Sequence, residues 1–131
     1  MPWHRATAAA AIAGVLEPVA AGQTPPASVF ATPPATFNPP AYVCGVVRTL
    51  DYDAITFGVD LAQFRLFVSA GGEDYDHLDA LCESARAALK VDPTCAGAVQ
   101  SLRVLSQDNW RRLTVAGADT LTADLILEIR M

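Results

Sequence analysis

The sequence predicts an α+β fold: a mostly antiparallel β-sheet with two α-helices packed on one side, and a proline-rich extended arm. Three observations predict it. Apolar residues recur at helical spacing in an Ala-rich stretch near the N-terminus and again over residues 75–91. Apolar residues recur at every second position over residues 61–69 and 120–130, with Ile126 the exception on the polar face of the latter. Between the first helix and the first strand lie three proline pairs, Pro25-Pro26, Pro33-Pro34 and Pro39-Pro40. The resulting order of helix, strands, helix and strands is that of an α+β sandwich. A chain of 131 residues suits one domain with a single modest core. It divides into a helix over 1–22, the proline-rich arm over 23–41, and the sheet with its second helix over 42–131.

The first helix is predicted from about Trp3 to Glu17, with Ile12, Val15, Leu16 and Val19 forming one buried stripe. Its alanines keep the other faces slim enough for close approach to a sheet or a neighbouring subunit. Pro18 should end or kink the helix near Glu17, and Gly22 should close it. Trp3-His4-Arg5 followed by ATAAAAIAGVL also has the layout of a signal peptide, with Val19-Ala20-Ala21 as a possible cleavage site. Glu17 and Pro18 interrupt that apolar run, which is too short to span a bilayer. The segment therefore reads as a structural helix, with a small secreted binding protein as the alternative.

Proline removes a backbone donor, fixes φ and pushes the preceding residue towards extended geometry. A segment with a proline pair every six to eight residues is thus neither a regular helix nor a central strand. It should cross the surface in extended form, with at most Ser28-Val29-Phe30-Ala31 pairing at a sheet edge. Two roles suit it: a stiff connector from helix to sheet, or a contact with a neighbouring molecule.

Residues 41–47 form a short apolar run suited to a central strand, and residues 48–60 read as a long hairpin connection or loop. Leu61–Ser69 should be a strand with Phe64, Leu66 and Val68 on one face, ended by Gly71-Gly72. The second helix is predicted from Tyr75 to Val91, capped by Asp74 or Asp76 and stopped by Asp92-Pro93. Leu78, Leu81, Cys82, Ala85 and Leu89 form its buried stripe, while Asp79, Glu83, Arg86 and Lys90 face water. The last third reads as an antiparallel meander. Asp108-Asn109 should turn one strand into Trp110–Ala116, and Gly117-Ala118-Asp119 should turn that into the final strand. There Leu121, Ala123, Leu125, Leu127 and Ile129 share one face and Ile126 breaks the polar face, marking contact with another element or subunit.

The chemistry of the chain is sparse. No GxSxG elbow, phosphate-binding glycine loop, HExxH or zinc-spaced cluster is present. A net charge of −5 argues against sequence-independent nucleic-acid wrapping, which needs a basic field. Cys44, Cys82 and Cys95 lack CxxC spacing, and an odd number argues for reduced, buried thiols rather than a disulfide framework. The run Glu73-Asp74-Tyr75-Asp76-His77-Leu78-Asp79 offers carboxylates and an imidazole, but acids at a helix start explain it without a metal. Asp51 and Asp53 read as solvated surface. Trp110-Arg111-Arg112 is the one basic–aromatic cluster, a combination enriched at protein contacts. No catalytic, cofactor or metal residues are assigned.

An Ala-rich first helix leads to a proline-rich stretch ending in PPAYVCGVV. Then come Leu50-Asp51-Tyr52-Asp53, Phe57-Gly58, the strand Phe64-Arg65-Leu66-Phe67-Val68 and the helix Leu78-Asp79-Ala80-Leu81. Ala98-Val99 opens a further strand, and an AG turn precedes LTADLILEIRM. In this order the chain resembles the tail terminator proteins of long-tailed, siphovirus-type actinobacterial phages. The resemblance covers nearly the whole chain and consists of pattern rather than one diagnostic motif. It implies a virion protein whose α+β protomers form a hexameric ring that caps the tail tube and ends its polymerisation. The ring would dock the head-side connector, with DNA passing through the lumen. A stopper or adaptor of the same neck region is the nearest alternative. Three contact regions are expected on this reading. The arm contributes Phe30, Pro33, Pro34, Phe37, Pro39 and Pro40; the loop over 50–60 contributes Asp53 and Phe57; a hairpin tip over 108–112 contributes Trp110, Arg111 and Arg112.

Overall fold

The computed structural model of the chain describes residues 5–23, 26–51, 61–71, 75–115 and 118–130, and of these the backbone alone for 45–51, 115 and 118. Two helices and five strands follow in the order α1 (Arg5–Ala21), β1 (Ser28–Phe30), β2 (Ala41–Asp51), β3 (Leu61–Gly71), α2 (Tyr75–Val91), β4 (Ser101–Val115) and β5 (Ala118–Arg130). The strands form one sheet in the order β1-β2-β3-β5-β4. Only the short β1 runs parallel to its neighbour; the other described pairings are antiparallel. α1 lies on β1 and β2, α2 lies on β3, β5 and β4, and the helices touch each other. This is the α+β layering that the alternation of elements predicts.

The centre of the sheet is its most regular part. β3 and β5 pair without a bulge from Leu61↔Arg130 to Gly71↔Thr120. Because side chains alternate across a strand, Phe64, Leu66 and Val68 meet Leu127, Leu125 and Ala123 on the helix-covered face, all fully or almost fully buried. α2 occupies the predicted span and buries the predicted stripe of Leu78, Leu81, Cys82, Ala85 and Leu89. Its wet face carries the Arg86–Glu83 ion pair at 2.7 Å. The buried Tyr42 hydroxyl donates to the Leu81 carbonyl at 2.6 Å, tying β2 to the middle of α2. After α2, Cys95, Ala96 and Gly97 take positive φ in succession. The Asp92 carboxylate accepts the Ala96 amide at 3.1 Å and holds this turn closed.

Four expectations are corrected. First, α1 does not end near Glu17 but runs through Pro18 to Ala21. A proline this late removes one helical bond, and the remaining turn is held by Ala20, which is buried in the core, and by the Gly22 amide on the Pro18 and Val19 carbonyls. Second, its buried face is Ala8, Ala9, Ile12, Ala13, Leu16 and Ala20, whereas Val15 and Val19 are half-buried. Alanines on the inner face let the helix backbone sit close to the sheet. Third, residues 48–51 continue β2, with Leu50 opposite Ala62 and Asp51 opposite Leu61, so they are not part of a connection. Fourth, Asp108-Asn109 makes no turn. β4 is a single strand of 15 residues, and the expected hairpin tip lies in its middle.

Candidate functional site

β4 stays continuous through Asp108-Asn109 because the extra residues are absorbed by bulges. Its pairing with β5 slips between Val104 and Ser106 and again between Asp108 and Arg111. At the second slip Asn109 adopts φ 60°, a left-handed conformation that asparagine tolerates. Its side-chain amide donates to Asp124 Oδ2 at 3.0 Å, and Arg111 Nη1 donates to the Asn109 carbonyl at 3.2 Å. The same residue types that favour turns thus build a bulge. Trp110, carried on this bulge, is 50% exposed.

Asp124 anchors the arrangement from the face of the sheet opposite the helices. It is 1% exposed, with Arg65 Nε at 3.5 Å and Arg111 Nη1 at 3.7 Å from its Oδ2. Its Oδ1 and Arg65 Nε have no hydrogen-bond partner. Next to it, Arg111 stacks over the Phe67 ring with its guanidinium carbon 5.6 Å from the centroid. Phe67 packs edge-on to Phe37, and Phe37 packs against Phe30, each pair at 6.1 Å between centroids. The proline segment therefore lies over this side of the sheet, and a Cβ placed on Gly71 would meet Pro39 at 3.9 Å. Beneath it Ser69 and Thr120 share a hydrogen bond at 3.1 Å, and Thr120 donates to the Ala70 carbonyl.

The structure brings together Phe30, Phe37 and Arg111 around Phe67, with Trp110 on the adjoining bulge. Pro33 is exposed, Pro34 and Pro39 are half-buried, Pro40 is buried, and Arg112 is exposed on β4. Asp53 and Phe57 lie outside the described residues, as do Glu73 and Asp74 of the acidic helix start. Ile126 is 2% exposed and stands opposite Arg65 and Ser106, within this protomer's own sheet.

Two features escape a reading of the sequence. Asp124 looks like a wet-face residue in an alternating strand, and only Ile126 beside it hints that this face is covered. The second is an open groove of about 970 Å³ between the exposed sides of α1 and α2. Its α1 wall includes Ala10, Gly14 and Pro18, spaced four apart on one helical row, with Gly22 in the turn that follows. That spacing of small residues is the signal that was there to be read.

The three thiols are buried and free. Burial pushes Cys44 and Cys82 up to about 12 and Cys95 up to about 11, with nearby carboxylates adding to the effect for Cys82 and Cys95. All three are therefore protonated at neutral pH and poor nucleophiles. Because their folded values lie above the ordinary value of 9.0, their contribution to stability is complete below pH 9. It is lost as the pH rises towards 11–12. Native protein at pH 8 should leave a thiol reagent almost unreacted until denaturant is added, and unfolding midpoints should fall steadily above pH 9. Rapid labelling of native protein at pH 8 would contradict the packing described. Among the described residues no three His, Cys, Asp or Glu side chains converge as a metal site, and no helix is long and apolar enough to cross a membrane.

No family model matches the chain, and no curated protein does. Solved structures do match its fold. A chain from the virion of a native gene transfer agent particle superimposes with a TM-score of 0.59 at 18% identity, covering 93% of this chain and 92% of that one.

Proposed function

We propose that this chain is a structural protein of a phage-type virion and acts as its tail terminator. In this role a hexameric ring caps the tail tube, ends tube polymerisation and presents a docking surface to the head-side connector. The observation that carries the reading is the fold likeness to a virion chain over nearly the full length of both. The sequence resemblance points to the same class and supplies the finer role. Protected thiols and an exposed aromatic on an edge strand suit an assembly subunit better than a reaction centre. Partners are then other copies of the chain, the tube protein and the connector, in the tail and neck of the particle. With its acids facing the lumen, a chain of net charge −5 would let DNA pass without adhering.

Native mass spectrometry of the purified protein, alone and with tail tubes, tests this. A closed ring that binds tube ends and halts their growth is the expected result. A persistently monomeric species that never binds tube ends would sink the reading. Binding to the portal-side adaptor instead of the tube would assign the chain to the stopper position.

A further inference from the structure

We propose that residues 32–39 form a strap that opens and closes as a unit of its own over the face of the sheet opposite the helices, with the Phe37 ring as its latch. Neither the sheet nor the helices unfold when it leaves. The strap is the part of the proline segment that lies between β1 and the buried Pro40. Among the described residues, none of these eight makes a hydrogen bond or an ion pair. Thr32, Pro33, Ala35, Thr36 and Asn38 are exposed, so water already serves their polar groups. Three of the eight are prolines, which carry no amide that could lose a partner on opening. What holds the strap down is apolar. Phe37 lies edge-on to Phe67 and tilted against Phe30, with Pro39 beside Gly71.

The two ends of the strap are fixed separately from its middle. β1 pairs with β2 from Ser28 to Phe30, and the Ser28 amide donates to the Pro40 carbonyl at 3.1 Å. The open strap is therefore a short loop closed at its base. Closing it again costs little chain entropy, and the prolines limit the freedom that the open form gains. One aromatic cluster thus separates the closed and open forms by a small gap, whereas the unbroken β3–β5 ladder beneath gives way only when the domain unfolds. Opening uncovers the Phe67 ring, over which the Arg111 guanidinium stays held by Asp124.

Chymotrypsin reports the latch directly, because the Phe37 ring must leave Phe67 to enter the protease's hydrophobic slot. In native protein the Phe37–Asn38 bond should be cut at a rate that low urea leaves unchanged, the mark of an opening that exposes little surface. A synthetic peptide of residues 31–41 sets the rate for a strap that is always open. Phe67→Leu should raise the rate in the whole protein about tenfold by removing the edge-on contact, with the same indifference to low urea.

A lock is available as well. A Cβ on Gly71 would lie 3.9 Å from that of Pro39, within the span of a disulfide. The double variant Pro39→Cys with Gly71→Cys should, once oxidised, slow the cut at least about tenfold and recover on mild reduction. The native thiols are buried and take no part in this exchange. Should Phe67→Leu fold poorly, the oxidised and reduced forms of the double variant decide the matter between them. Cutting at Phe37 that follows the global unfolding curve in urea would overturn the strap as a separate unit. Cutting that is as fast in the oxidised form as in the reduced one would overturn it too.

Discussion

Phe64→Ala should lower the free energy of unfolding by about 3–5 kcal/mol. Phe64 is fully buried on β3, the middle strand of five, and faces the helices. It is paired to Val47 on one side and Leu127 on the other. The cost has two parts, the lost burial of an aromatic ring and the void left behind. The void is hard to close here because the β3–β5 ladder runs without a bulge along its whole length. A domain of this size has about 5–15 kcal/mol in total, so the variant should be close to unfolding at 37 °C. Urea titration should show a lower midpoint with an unchanged slope. A loss below about 1 kcal/mol would mean that the ring does not sit in a close-packed core.

Asp124→Ala should cost about 2–4 kcal/mol, although it removes no apolar contact. The carboxylate is 1% exposed and faces two guanidiniums and the Asn109 amide. Deleting it leaves both arginines held against the sheet without a counter-charge and frees the bulge from its anchor. Both arginine side chains are about a third exposed (38% and 33%), so water recovers part of the loss and places the value below that of a fully buried pair. A triple variant with Asp124→Leu, Arg65→Met and Arg111→Met should regain most of the stability. A triple variant as unstable as Asp124→Ala would show that the cost lies in the freed bulge rather than in the unpaired charges.

What could be read from the chain beforehand depended on how local the signal was. α2 was legible to the residue because its apolar stripe and its Asp92-Pro93 stop lie within one continuous segment. β3 and β5 were legible through their two-residue period. α1 was legible as a helix but not in orientation: where most residues are alanine, composition cannot say which side faces the sheet. β4 was misread because Asp108-Asn109 suits a turn and a bulge equally, and the choice between them rests on Asp124, fifteen residues further on from Asn109. The same long-range contact hid the covered side of β5, whose Thr120, Thr122 and Asp124 have the composition of a solvated face and are buried. Of the residues expected at contacts, Trp110 and Pro33 are exposed, whereas Phe30 and Phe37 are engaged with Phe67 in the same chain.

The two irregularities in β4 have a further consequence. A long open strand edge is a template on which other chains can stack without limit. Here the fifteen-residue edge is broken in register at two places, and the opposite edge, β1, is three residues long. Neither β4 nor β1 offers the uninterrupted run of amide and carbonyl groups that fibre growth requires. The kinks that conceal this strand in the sequence should also hinder fibre growth along its edge.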